Sequence, residues 1–306
     1  MATPPADKEV TFTGIFVHRK NHAVVSAIVD EFADDNRDHA MVFRRIDGQW
    51  KHRLVDNSIA GACMIDEPTT KMVIAGIDGD VLVATLPGTV AEQVDPSPDG
   101  PNRSSFLRCI TAIGNRVYVV GMARQVYRRD GPNSWTRIDQ GTFVPRNQRT
   151  QSVGFNDIDG LTANALYAVG YKGEIWFYDG AVWSQLDSPT NVSLNCVQCA
   201  ADDRVYAAGM AGTILRGNRN GWTAIVQDVT TKDFWGIASF REQVYLSNYD
   251  GVFILRGDVP IPVDMGLKKR LSTAYLDAGD GILWSVGHKD IACTEDGTTW
   301  VELDKP

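Results

Sequence analysis

Asp157 and Asp159 stand two apart in the run FNDIDGL, and residues two apart on a strand share a face. Strand rise puts such carboxylates roughly 7 Å apart, a spacing that suits acid–base work or the capture of a cation. The expected role is plainer: bonding to water and to backbone N–H groups along a narrow channel. Arg108, Arg270 and Tyr275 are a fragment of the set that opens a glycosidic bond beside a substrate carboxylate, but no glutamate or acid completes it. The histidines are His18, His22, His39, His52 and His288. His18 and His22 flank one turn of the first unit, His39 follows a turn on the opposite face and His52 lies on the outer strand, so the four cannot converge on a metal and read as exposed imidazoles. Cys196 and Cys199, three apart on a strand, face opposite ways and read as structural thiols rather than a redox or zinc pair. No phosphate loop, G-x-S-x-G elbow or H-E-x-x-H run occurs. No catalytic residue, metal ligand or cofactor is assigned.

What must position the two aspartates follows from the whole chain. Its 306 residues are 43% hydrophobic and 22% charged, enough to bury a large core. A net charge of −8 argues against a nucleic-acid binder, which needs a basic face. No run of about 18 apolar residues exists to span a bilayer. The start MATPPADKEV lacks the apolar core of a secretory signal. An odd number of cysteines, five, fits free thiols in a reducing compartment, so the expected location is cytoplasmic.

The string GYKGEIWFYDGAVW at 170–183 returns in altered form along the chain. Anchors follow each short apolar run at Gly76, Gly121, Gly170, Gly209, Asn248 and Gly287, at intervals of 45, 49, 39, 39 and 39 residues. Upstream lie KMVIAG, RVYVVG, ALYAVG, RVYAAG, QVYLSN and ILWSVG, alternating and rich in β-branched or aromatic residues, hence strands. Three residues beyond each anchor stands Gly79, Arg124, Gly173, Gly212, Gly251 or Asp290, mostly types that tolerate a tight reversal. A further strand, a turn such as DGAVW or DGTTW, and an outer strand complete each unit. Small or polar residues alternate on the first strand of each unit: Gly61/Cys63, Cys109/Thr111, Asp157/Asp159, Cys196/Gln198, Gly236/Ala238 and Thr273. They are expected to crowd round a common axis. The N-terminal stretch supplies one more divergent unit. The fold class is therefore all-β, a seven-bladed β-propeller of four-stranded antiparallel blades. The blades are placed at 9–56, 57–96, 104–140, 152–188, 192–228, 232–265 and 269–305, behind a tail at 1–8. The ring is expected to close by packing blade one on blade seven, with no strand shared between the termini.

The stretches YAVGYKGEIWFYDGAVWSQLDSPT and TEDGTTWVEL resemble bacterial neuraminidase-like (BNR, Asp-box) repeats and the propellers related to the photosystem II assembly factor. Thr294, Asp296 and Trp300 fit the Asp-box pattern, with Gly297 one place early. In that family the boxes are folding turns remote from any active site, so the resemblance implies architecture and not hydrolysis.

What remains is surface. Two long connections, PSPDGPNRSS (96–105) and GTFVPRNQRTQSV (141–153), emerge on one face with the segment DEFADDNRD (30–38), and loops of this length in a compact repeat often carry function. The candidate partner-binding residues are Arg103, Arg108, Arg124, Arg146, Arg149, Asp34, Asp35 and Tyr171; Asp157 and Asp159 belong to the channel. Positive and negative patches side by side suit a charged protein partner. Residues just after the anchors, such as Met210, Tyr249 and His288, are expected to pack between blades. The expected function is a monomeric, non-catalytic scaffold for a protein partner; the resemblance to bacterial propellers suggests, by analogy, an immunity protein that blocks a bacterial toxin or effector. The alternative is a glycan-binding or sialidase-like hydrolase or lyase using the axial funnel.

Overall fold

Alternating apolar residues, punctuated by Gly, Asn and Asp turns, fold into seven separate sheets, each of four antiparallel strands paired in chain order. The computed structural model describes residues 8–85, 88–200 and 204–306. All but one residue of the expected tail at 1–8 thus lies outside the described residues. The inner strands, from blade one to blade seven, are Val10–Arg19, Ile59–Asp66, Leu107–Ile113, Phe155–Thr162, Leu194–Cys199, Gly236–Phe240 and Tyr275–Gly279. They surround an axial channel, making a seven-bladed propeller. Among the described residues no helix is long and apolar enough to cross a membrane.

The core lies between blades rather than in the middle of the ring. Seven apolar clusters fill the seven blade-to-blade interfaces, because each twisted sheet has two faces to bury and only its neighbours to bury them on. The closing interface is built like the others. Phe12, Val17 and Phe43 of blade one pack with Ile282, Trp284 and Ile291 of blade seven. Backbone and side-chain bonds reinforce it: Phe12 N–H donates to His288 O at 3.0 Å, and Trp50 Nε1 donates to Asp304 O at 3.1 Å. Among the described residues no strand is exchanged between the termini.

The repeated glycines do two different jobs. Gly173 follows Lys172 through a left-handed turn, with φ of 72° and 57°, where glycine is the easy residue. Gly170 has an extended backbone, and its requirement is closeness: a Cβ there would lie 1.9 Å from Gly154 O, at the entry to the same blade's inner strand. Gly121, Gly209 and Gly287 meet the corresponding backbone at 2.5, 2.2 and 2.1 Å. Gly170→Ala is expected to destabilise the ring by about 2–4 kcal/mol, since backbone must move to admit the methyl; urea unfolding of the variant checks this.

The DGTTW turn shows why its residue types recur. Asp296 Oδ1 accepts the N–H groups of Thr298 and Thr299 at 2.7 and 2.6 Å, while Thr294 Oγ1 accepts that of Gly297 at 2.9 Å. The backbone N–H bonds of Thr299 and Thr298 drive the Asp296 carboxyl far below its usual range. Trp300 is buried against blade six.

Candidate protein-binding face

Asp157 and Asp159 both face the channel, joined there by Asp277 of blade seven, in a cavity of about 340 Å3. Their oxygens are committed to backbone. Asp157 accepts from Val197 N at 2.8 Å and Ile158 N at 2.9 Å. Asp159 accepts from Cys199 N at 2.7 Å and Gly160 N at 2.8 Å. Asp277 accepts from Val17 N at 2.6 Å and Ala278 N at 2.9 Å. In each case one bond reaches the next blade's inner strand, and Gln198 does likewise by accepting Ser239 N at 3.2 Å. The carboxylates are staples between blades, with Asp277 closing the ring. The alternation expected on the inner strands fails in three blades: Thr273 precedes the inner strand of blade seven, Tyr275–Gly279, and lines a separate cavity, and the facing residues differ in two others. Cys63 and Ala238 are buried between blades, whereas Ala62 and Ile237 line the channel. In blade two an irregularity between Ile59 and Gly61 resets the pleat.

Burial raises all three carboxyls, to about 6 for Asp157 and about 7 for Asp159 and Asp277. Each therefore binds its proton more tightly in the folded ring than in the unfolded chain. Its contribution to stability is complete below about pH 4 and is lost as pH rises through the folded value. Thermal melts should accordingly show lower stability at about pH 8 than at about pH 5.5, with a flatter profile for Asp159→Asn combined with Asp277→Asn.

Above the staples the channel opens into a funnel of about 220 Å3, lined by Arg108, Asn156, Asn195, Trp235 and Tyr275 among others. Arg270 is not among them. It donates to Asp250 O at 2.6 Å and lines a separate cavity with Asp264 and Met265, so the glycosidase fragment comes apart. His39 is not exposed, as expected from sequence, but buried. Val29 N–H donates to its Nε2 at 2.7 Å, and its Nδ1 lies 2.7 Å from Arg37 O. All five cysteines are free, and burial raises each thiol, so none is poised as a nucleophile.

The funnel opens on the face that carries the turns between second and third strands and the connections between blades. Arg103 and Arg146 are exposed there. Arg149 ties the two long connections together, donating to Ser104 O and Oγ at 3.0 and 2.8 Å. Arg124 pairs with Glu174 at 2.7 Å and lies 5.2 Å from the Trp176 ring, so it joins blade three to blade four. Tyr171, half-buried, shares a cavity of about 490 Å3 with it. Asp34 and Asp35 are exposed at the end of a short helix, Asp30–Asp34.

Three residues expected to pack between blades are at the surface instead: Met210 is 44% exposed, Tyr249 is 49% exposed, and His288 is exposed beside it. Tyr249 lies 4.9 Å from the His288 ring and 6.1 Å from Trp235. The face thus combines exposed arginines flanking blade three with an exposed Met210 on blade five and an aromatic rim over blades six and seven, a composition suited to protein recognition.

Comparison with known proteins fits this picture. No family model matches the chain. Among solved structures it is similar to a catalytically inactive virginiamycin B lyase from Staphylococcus aureus with quinupristin, at TM-score 0.70 and 13% identity over 94% of each chain. It is also similar to YCF48 bound to D1 peptide, at TM-score 0.66 and 14% identity over 98% of this chain and 94% of that one. At such identities the likeness is one of fold, the seven-bladed propeller. The immune protein Tsi7 of Pseudomonas aeruginosa is 36% identical over 297 residues, which span 95% of this chain and 96% of that protein. With identity sustained over nearly the whole of both chains, this propeller belongs to the family of the immune protein Tsi7.

Proposed function

We propose that the chain is a cytoplasmic immunity protein that binds a protein toxin or effector and blocks it sterically with its loop-bearing face. The observation that carries this reading is the 36% identity to an immune protein along almost the full length of both chains. The geometry supports a binding role. A ring held by seven apolar interfaces presents its loops already ordered, which lowers the entropic cost of association. Arg103 and Arg146, exposed like Asp34 and Asp35 of the short acidic helix, suit steering and orientation of a charged partner. Tyr171 and Arg124 serve as the floor of that surface. Five unpaired cysteines support a reducing compartment. We read the protein as a monomer without a nucleic-acid partner, and the Thr294–Asp296–Trp300 turn as an Asp-box-like device of folding. The test is protection: cells producing the toxin captured with this chain from its native lysate should survive when the chain is co-expressed. Undiminished killing at equal toxin levels would refute the reading.

A further inference from the structure

The funnel mouth brings together features that the channel below it does not need. Arg108 is exposed, and its guanidinium lies 6.0 Å from the Phe106 ring; no acidic partner neutralises it among the described residues. Asp157, the acid on the funnel wall, already accepts Val197 N, Ile158 N and the Cys109 thiol. The amides of Asn156 and Asn195 donate to the backbone at Leu194 O and Phe234 O, at 2.8 and 2.9 Å. An unpaired guanidinium therefore stands above a floor whose acid is already engaged by two backbone N–H groups and a thiol.

Aromatic groups surround it. Trp235 and Tyr275 line the funnel, and Tyr249 and His288 continue from Trp235 as a file of rings. Phe106 and Met210 are each 44% exposed. The cavity, about 220 Å3, has the liquid volume of about seven waters, space for a side chain or two but not for a folded segment. Rings at the rim exclude water from an ion pair formed inside, which strengthens it.

We propose that this funnel is the anchor pocket for a protruding acidic residue of the protein partner, with an apolar or aromatic residue beside it in the partner's chain. The carboxylate meets Arg108, where a guanidinium can hold both oxygens, and the neighbouring side chain lies on Trp235 and Tyr249. This deepens the immunity reading and rests on it only for the partner being a protein. A small anion would satisfy Arg108 but leave the rim unused. A second copy of this chain would have to offer Asp34 or Asp35 from its own loop face.

Two measurements test it. In amide NMR spectra of the intact chain, the capped peptide acetyl-Gly-Asp-Tyr-Gly-amide should shift signals at 107–110, 156–157, 195–196, 235–237 and 275–276. The Asn analogue of the peptide, or the Arg108→Gln protein, should bind about 10-fold more weakly. Equal binding of the Asn analogue, equal binding by Arg108→Gln, or acetate binding as well as the peptide overturns the proposal. With the captured toxin, Arg108→Glu should weaken the complex about 100-fold and Tyr249→Ala about 10-fold, with melting temperatures unchanged. An unaltered complex overturns the anchor pocket and leaves the immunity role intact, whereas a wild-type chain that binds no toxin overturns both. Self-association of the chain that Arg108→Glu abolishes would assign the funnel to a second copy and also overturn it.

Discussion

Glu92→Ala is expected to destabilise the protein by about 3–5 kcal/mol, because it strands a buried cation. Glu92 and Arg129 are 6% and 4% exposed. They form a two-pronged pair, with Nε and Nη2 of Arg129 at 2.9 and 2.8 Å from the carboxylate. Trp135 Nε1 adds a third bond to Glu92 at 3.0 Å, and Glu67 takes Arg129 Nη1 at 3.1 Å. Burial opposes ionisation of Glu92, but the bonds and charge of Arg129 outweigh it and hold the carboxyl below its usual range. The pair's stabilisation is therefore present above the ordinary glutamate pKa and is lost as pH falls through the lowered value. It joins the outer strand of blade two, Thr89–Gln93, to the third strand of blade three, Val126–Gly131. Urea unfolding should separate the single variant from Glu92→Leu with Arg129→Met, which removes both charges and should fall within about 2 kcal/mol of wild type.

The second large effect concerns the loop face. Met210→Asp together with Tyr249→Asp should reduce affinity for the toxin about 1000-fold, the loss typical when two central apolar contacts are replaced by charge. Both side chains are about half exposed, so stability should stay within about 1 kcal/mol of wild type. Titration calorimetry and thermal melts on the same preparations separate loss of recognition from loss of fold.

The ring was legible because its signals are local. Three successive 39-residue intervals, alternating strands and turn residues at fixed offsets each arise inside one blade. Asp157 and Asp159 were legible for the same reason, as two carboxylates on one face of one strand. Asp277 was missed: the run LSTAYLD drew attention to Thr273, yet the inner strand begins only at Tyr275. The slip at Cys63 follows from a pleat irregularity between Ile59 and Gly61, which residue type does not announce; the inner strand of blade six pairs without a break, and Ala238 simply takes the opposite face. Arg124 and Arg149 looked alike as loop charges. Their commitments, to Glu174 across fifty positions and to Ser104 across forty-five, exist only once the blades are side by side. The same holds for Met210, Tyr249 and His288. An alternating strand leaves a residue after a turn equally fit for a neighbour or for solvent.

The claim on which the account turns is that the partner sits on the loop-bearing end of the wheel. Hydrogen–deuterium exchange of the chain with and without the captured toxin measures this directly. Protection is predicted at 96–106, 141–153, 209–213, 230–235 and 248–251, with the opposite turns at 19–22, 46–49 and 295–299 unchanged. Protection confined to those opposite turns, or to the outer strands, would contradict it.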